Sequence, residues 1–446
     1  MAPGAGQLYL GHKRRGLVLL GLGLLPLVSL GALLLGEGRS LVSLVVRPPV
    51  LGGLLVGNGV VVAVRLFAVF DAYQLGQVQA SRLPTRAQAR VTFALLLGLA
   101  VITVAPHAIA GYYNAQAYET LTSIFGRGGG LTEQLPGSSG AMANASPRPE
   151  GWPGRLTVLL LGGDAGAGRV GLRTDTMIVA SLDPATRRVA LLGLPRNLTR
   201  VPLPGGAASS NPCHCFPDLL NALYSYAQDN PRYFPYGADR GAMAVASAAE
   251  KLTGLRIDYY ALVDLEGFVD LVDALGGINV RVTEHVKDQV SSPVGDGRLG
   301  PSVNVGPGSY HFDGARALAY VRSRSSDDDY HRMRRQRCLL AGLASQTNMP
   351  RLLGALPRLL QVARASVSTN IPASELPRLA RLATQLRGAQ VATLGLDPPR
   401  YSGYDSRGYP IPRVAAIRAG VQEALHPGDG PASPQDAAVV RGSSCA

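Results

Sequence analysis

A chain of 446 residues is long enough for two or more folded units, one of them with a full core, so a single compact domain is not expected. Its formal net charge is +13, and since lysine occurs only at Lys13, Lys251 and Lys287, nearly all the positive charge is arginine, the residue suited to bidentate contact with phosphate or carboxylate. Four cysteines are too few for a disulfide scaffold. Such a basic balance fits a nucleic-acid binder, an anionic-surface binder or a membrane protein with basic cytoplasmic loops, and composition alone does not choose among them.

Residues 16–36, GLVLLGLGLLPLVSLGALLLG, carry no charge and reach the length of a membrane-spanning helix. His12, Lys13, Arg14 and Arg15 just before them mark the cytoplasmic side. A cleaved signal peptide is the competing reading, and two further apolar segments argue against it. Residues 50–70 are apolar except for Arg65, placed to snorkel toward the cytoplasmic interface. A basic loop with Arg82, Arg86 and Arg90 then precedes a third apolar stretch from Val91 to about Tyr112. The arginines fall where three spans with the N-terminus inside require them, which places residues after Tyr113 outside the cell.

Residues 1–113 are therefore expected to form a membrane domain of three transmembrane helices, and 114–152, with GRGGG, PGSSG and SPRPEGWPG, a flexible extracytoplasmic linker. From Arg155 the pattern turns globular: LTVLLLGGD reads as a buried strand, and TMIVASL and RRVALLGL as a hairpin turned by DPAT. GAMAVASAAEKLTGL and GFVDLVDALGG read as helices, GARALAYVRSR as a short helix running into a strand, and DYHRMRRQRCLLAGLASQ as a further helix. The expected fold is α/β, an α/β/α sandwich with a mixed central sheet over residues 153–346. Residues 347–426 are expected to be a C-terminal helical part of the same domain, with AQVATLGL a possible strand, and 427–446 a disordered tail.

Hairpin geometry gathers the candidate chemistry, because the start of one antiparallel strand lies beside the end of the next. Arg173 and Asp175 precede the second strand and Arg196 follows the third, so the three meet at one sheet edge. Asp164 joins them if the first strand runs suitably. Arg322 and Arg324, two apart on the expected strand, share a face, and Asp329, Arg332, Arg335 and Gln336 share a broad face of the following helix. Arginines interleaved with carboxylates suit a Mg²⁺-bound diphosphate, while a surface salt-bridge network is the bland alternative. Two other signals are weak. Gly166 to Gly171 match a dinucleotide-binding glycine pattern but precede a strand rather than a helix, and Cys213-His214-Cys215 lacks the second ligand pair a zinc site needs. In an exported domain, a bridge from Cys338 to Cys213 or Cys215 is the better expectation.

LLLGGDAGAGRVGLRTDTMIVASLDPATRRVALLGLPRN, NALYSYA, YYALVDLEGFVDLVDALGGINV and FDGARALAYVRSRSSDDDYHRMRRQR, in that order, resemble the successive motifs of the LytR-CpsA-Psr family, with Phe312 where the family has leucine. The resemblance spans residues 155–346 and weakens toward 425; the N-terminal APGAGQLYLGHKRRG separately looks like the start of small membrane modules. It implies a membrane-anchored extracytoplasmic phosphotransferase that moves a glycopolymer from a polyprenyl-diphosphate carrier onto peptidoglycan. By position it implies Asp164 and Asp175 as Mg²⁺-associated carboxylates, and Arg173, Arg196, Arg322, Arg324, Arg332 and Gln336 as the pyrophosphate-contacting set. Asp329 matches a motif carboxylate, so Arg322, Arg324, Asp329 and Arg332 are the catalytic candidates. Asp164 and Asp329 are both open as acceptor of the hydroxyl proton. The lipid tail is expected in an apolar tunnel to which GFVDLVDAL contributes. Asn197 stands where the family has aspartate, Thr174 where serine is common, and Leu219 where lysine often is. Three other readings are a lipid-diphosphate pyrophosphatase using the same site with water, a polyprenyl-phosphate binder without turnover, and a membrane-bound regulator. The last is disfavoured because the expected topology puts the arginines outside, and no helix-turn-helix or zinc-finger pattern is present, so nucleic acid is not an expected partner.

Overall fold

A computed structural model describes residues 2–36, 47–79, 85–125, 154–164, 172–209, 211–235, 239–288, 293–294, 298–299, 303–323, 328–346, 349–386, 388–426, 438–440 and 444–445. The chain divides into two compact units, Met1–Thr122 and Ser123–Ala446.

In the first unit, α1 (Ala5–Tyr9) and α2 (Lys13–Gly36) precede two long apolar helices, α3 (Pro48–Gln79) and α4 (Arg86–Phe125). Those two, among the described residues, are long and apolar enough to cross a membrane. Polar groups tie them together: Asn58 donates to the His107 carbonyl at 2.8 Å, its Oδ1 lies 2.6 Å from His107 Nδ1, and Asn114 donates to the Leu51 carbonyl at 3.0 Å. Gln7, fully buried, donates to the Ala68 carbonyl and to Asp71, fixing α1 to α3. The linker expectation is corrected at its start, because α4 continues through 114–125. QAYETLTSIF holds no glycine or proline to stop it. The Gly- and Pro-rich remainder of the expected linker, to 152, lies outside the described residues.

The second unit is built on a seven-stranded mixed sheet. Its strands are β1 (Leu156–Asp164), β2 (Arg173–Asp183), β3 (Arg188–Gly193), β4 (Tyr259–Asp264), β5 (Val367–Thr369), β6 (Gln390–Gly395) and β7 (Ala438–Val440), in the order β5-β4-β1-β2-β3-β6-β7. The β1–β2 and β2–β3 pairs are antiparallel, whereas β4 runs parallel to β1 and β6 parallel to β3. Side chains alternate between two cores, as a pleated strand requires. Met177, Val179, Ala190 and Leu192 join the large core on one face, and Ile178, Ala180 and Leu191 pack with Ala341 on the other. The first face is covered by α5 (Arg240–Thr253) and by a C-terminal helix, Val414–Leu425, whose Ile417 and Val421 are fully buried. The second carries α6 (Asp329–Gln346) through Ala341 and, at the β1 end, the helix Leu376–Gln385 through Leu382. This is the α/β/α sandwich expected from the strand and helix order.

Three expectations change. Residues 347–426 are not simply helical: β6 is the strand expected in AQVATLGL, and β5, which was not expected, adds to the opposite side of β4-β1-β2-β3. The tail is not wholly irregular: β7 pairs with β6, and Ser444–Cys445 runs parallel to the strand Ile278–Val282, while 427–437, 441–443 and 446 lie outside the described residues. Branched Val439 and Val440 suit strand pairing on an open edge. Finally, Cys213 and Cys215 are bonded to each other across His214, which adopts a φ of 52°. That pairing leaves neither sulfur for a bridge from Cys338 or for zinc, and Cys338 is itself disulfide-bonded elsewhere.

Candidate functional site

The antiparallel register brings the C-terminal end of β1 beside the start of β2, with Asp164 opposite Arg173. A bulge shapes the edge: Gly162 pairs with Thr176 and Gly163 with Thr174, which leaves Asp175 as the extra residue. Such a bulge re-aims a side chain that would otherwise follow the ladder. Asp175 meets Arg196, three residues past β3, whose Nη1 donates to Asp175 Oδ1 at 2.8 Å. Arg196 Nε donates to both oxygens of Asp329, at 3.3 and 3.1 Å, so one guanidinium bridges the sheet edge to the first residue of α6. Asp329 Oδ2 also accepts from Arg332 Nη2 at 3.1 Å, and Arg332 is only 3% exposed.

On the other side of β1, Arg322 Nη2 lies 3.6 Å from Asp164 Oδ2. Arg322 ends α7 (Gly314–Arg322). The expected strand through Arg322 is therefore corrected to a helix end. Asp313 caps that helix by accepting from the Arg316 backbone N–H, the alanine-rich run propagates it, and Arg322 sits in its last turn, where a cation is favoured. Arg324 lies outside the described residues. Arg173 is exposed at the first position of β2.

Not every arginine on the α6 face reaches the cleft. Arg335 donates to the Tyr320 and Ser323 carbonyls at 3.0 and 2.6 Å, and the Gln336 amide to the Val321 carbonyl at 3.4 Å. These two side chains hold the C-terminal carbonyls of α7 and so fix where Arg322 emerges. Arg337 is buried against Gly193 and Gly395 at the ends of β3 and β6; burial pulls its guanidinium down to about 10, and nearby Asp397 opposes the shift.

Asn221, which sequence reasoning did not assign, donates from Nδ2 to Asp175 Oδ1 at 3.0 Å and is 3% exposed. Its signal was available: a lone amide between Leu220 and Ala222 in an apolar run. Burial alone would raise the Asp175 carboxyl, but Arg196 and the Asn221 amide together hold it below the usual carboxylate range. Arg196 is shifted upward: burial acts against its charge, and Asp175 and Asp329 outweigh that. Asp175 Oδ1 receives both bonds, while Oδ2 takes none from a described residue. At Asn197, where the resemblance expects a carboxylate, Oδ1 is enclosed without a partner among the described residues.

Chemically, this edge offers three guanidiniums, Arg196, Arg322 and Arg332, interleaved with Asp164, Asp175 and Asp329. An anion with several oxygens can exchange into these pairs, and Asp164 and Asp175 supply the hard oxygens that Mg²⁺ prefers. No cluster of three or more His, Cys, Asp or Glu side chains able to hold a metal occurs among the described residues, so a metal here needs phosphate or water oxygens to complete its shell.

Residues 143–409 match the family model described as the LytR_cpsA_psr family. Among curated relatives, the Bacillus subtilis protein named polyisoprenyl-teichoic acid--peptidoglycan teichoic acid transferase TagV is 27% identical over 226 residues, covering 50% of this chain and 51% of that protein. The probable cell wall biosynthesis protein LcpB of Corynebacterium glutamicum is 29% identical over 247 residues, covering 55% and 50%. The chain thus spans about half the length of the curated relatives it matches. Among solved structures, B. subtilis TagV aligns with a TM-score of 0.45 at 24% identity, covering 60% of this chain and 96% of that one. Protein gbs0355 of Streptococcus agalactiae aligns at 0.48 and 22% identity, covering 65% and 92%.

Proposed function

The chain belongs to the LytR_cpsA_psr family, and we propose that it is a membrane-anchored extracytoplasmic phosphotransferase that moves a glycopolymer from a polyprenyl-diphosphate carrier onto peptidoglycan. The observation that carries this reading is the clamp of Arg196, Arg322 and Arg332, held by Asp164 at the end of β1, Asp175 near the start of β2 and Asp329 at the start of α6. The printed name of the TagV relative supports the donor and acceptor classes. Three N-terminal spans with the N-terminus inside remain our reading of the basic loops, supported by the two long apolar helices and by the uncharged run within α2.

In this proposal the diphosphate takes the guanidiniums from their carboxylate partners. Arg196, already pointing between Asp175 and Asp329, needs no rearrangement of its stem to face a phosphate at the cleft. Arg332 is buried and so keeps one geometry. Both oxygens of Asp329 accept from arginines, which orients the guanidiniums before the diphosphate takes them. Asp164 and Asp175 would hold Mg²⁺, and charge neutralisation at the phosphate oxygens is the chemistry that the ion supplies when bound. Arg324 and Arg173 are proposed to complete the anion site. An acceptor sugar hydroxyl attacks the glycan-side phosphorus, and polyprenyl phosphate leaves. As in phosphoryl transfer generally, positioning and charge stabilisation do most of the work.

The test is transfer by the purified protein from a polyprenyl-diphosphate-linked glycan to a peptidoglycan fragment, with and without Mg²⁺. Glycan attached to the fragment only with the metal is the expected result; release of free phosphorylated glycan without attachment would replace the reading by a pyrophosphatase. Arg322→Ala should lower turnover at least about 100-fold with an unchanged circular dichroism spectrum, since it removes charge stabilisation and not a core contact. Wild-type turnover in that variant would sink the clamp.

A further inference from the structure

Phosphoryl transfer places the attacking and leaving oxygens on opposite sides of phosphorus, so the clamp has an entry side and an exit side. Asp264, at the end of β4, sits opposite Gly163 in the parallel register, beside Asp164. From there the helix Leu265–Ala274 starts, with apolar Leu265, Phe268, Val269 and Leu271 left half-buried. That side suits a departing polyprenyl phosphate. The hydroxyl must then enter from the β3 side, where β6 ends level with β3, Gly395 opposite Gly193, and carries Asp397 to the edge occupied by Arg196.

The chain after Asp397 builds a rigid projection there. A hairpin of Ser402–Tyr404 and Pro410–Pro412 is anchored to the segment that follows Arg196 by the Pro410 carbonyl, which accepts from the Thr199 backbone N–H at 2.9 Å and from its hydroxyl at 3.3 Å. Asp405 Oδ1 accepts from the Arg407 and Tyr409 backbone N–H groups, which locks the turn. On this fixed frame Tyr404 is 61% exposed. A flat exposed ring on a frame that continues from the Asp397 carboxylate is the chemistry that recognises a pyranose, whose C–H face packs on an aromatic and whose edge hydroxyls donate to acceptors.

Resting on the function proposed above, we propose that the Ser402–Pro412 hairpin forms the acceptor subsite, with Tyr404 stacking on one hexosamine of the incoming peptidoglycan glycan strand and with Asp397 accepting from its hydroxyls. The occupant is the acceptor and not the donor sugar, because the in-line direction fixes the attacking side.

The test uses the full-length protein in detergent, a polyprenyl-diphosphate-linked glycan as donor and soluble uncrosslinked peptidoglycan strands as acceptor. Tyr404→Ala should raise the acceptor KM about tenfold and leave the donor KM and the melting temperature unchanged, while Tyr404→Phe, which keeps the ring, restores the acceptor KM. An unchanged acceptor KM, or a rise in the donor KM instead, overturns the assignment. If the wild-type protein transfers nothing, the functional reading fails by itself. Calorimetric binding of the strands without donor then decides the subsite: weaker binding by Tyr404→Ala supports it, and equal binding removes it.

Discussion

Asp175 shows how this site keeps a carboxylate charged while drawing it out of water. Burial pushes its proton affinity up, and Arg196 at 2.8 Å and Asn221 at 3.0 Å push it further down, so the group ends below the ordinary carboxylate range. A carboxylate whose value is lowered on folding contributes stability that is complete above its unfolded value of about 4 and is lost as pH falls through the lowered one. Asn221→Leu keeps the volume and the burial but deletes one of the opposing bonds, so the Asp175 value must rise. The variant should be less stable than wild type at neutral pH, with the deficit closing only as the pH falls through the lowered wild-type value, beneath which both proteins have protonated the group. Carbon-detected NMR titration of Asp175, alongside urea denaturation at several pH values, measures both. An unmoved titration would mean that Arg196 alone sets the charge state.

At the level of elements, the position of Arg322 depends on two helices meeting almost backbone to backbone. Gly314, the first residue of the Arg322 helix, faces the carbonyl of Val269 so closely that a Cβ would run into it. Gly314→Ala should therefore cost about 3 kcal/mol in chemical denaturation, an overpacking penalty against backbone that cannot rotate away. It should also lower transfer, because the helix end that presents Arg322 is displaced; full stability would show that the contact yields more easily than the packing implies. The strands and the meeting of Asp175 and Arg196 were legible from the sequence, since apolar runs and one turn determine a meander and antiparallel register does the rest. What period and spacing could not tell was which side of a helix meets a ligand. Asp329, Arg332, Arg335 and Gln336 share a broad face, yet Arg335 and Gln336 bind carbonyls of the neighbouring helix while Asp329 and Arg332 join the clamp. Arg322 was expected on a strand from the alternation of Arg322 with Arg324, whereas the alanine-rich run and the Asp313 cap carry the helix through it. The tail strands were hidden because a pairing partner, not local pattern, decides whether two or three residues extend.

For the molecule as a whole, the proposed chemistry needs two things in one chain: a globular unit with its own core and an anchor that holds it near a lipid-linked donor. The second unit buries its sheet on both faces with its own helices, which are all drawn from that unit, so it has the means to fold without residues 1–125. The anchor then acts through concentration and not through the clamp. Confining enzyme and donor to one bilayer raises their effective concentration without adding a contact. A chain starting at Gly154 should thus transfer glycan from a detergent-dispersed donor at a rate within about twofold of the full-length protein, because the clamp residues are all retained. With the donor embedded in vesicles the same shortened chain should fall about 100-fold behind the full-length protein reconstituted in those vesicles. Comparing initial rates in the two settings separates the contributions. Equal loss in detergent and in vesicles would mean that the N-terminal unit shapes the site directly, and equal rates in both would mean that the globular unit reaches the membrane through its own surface.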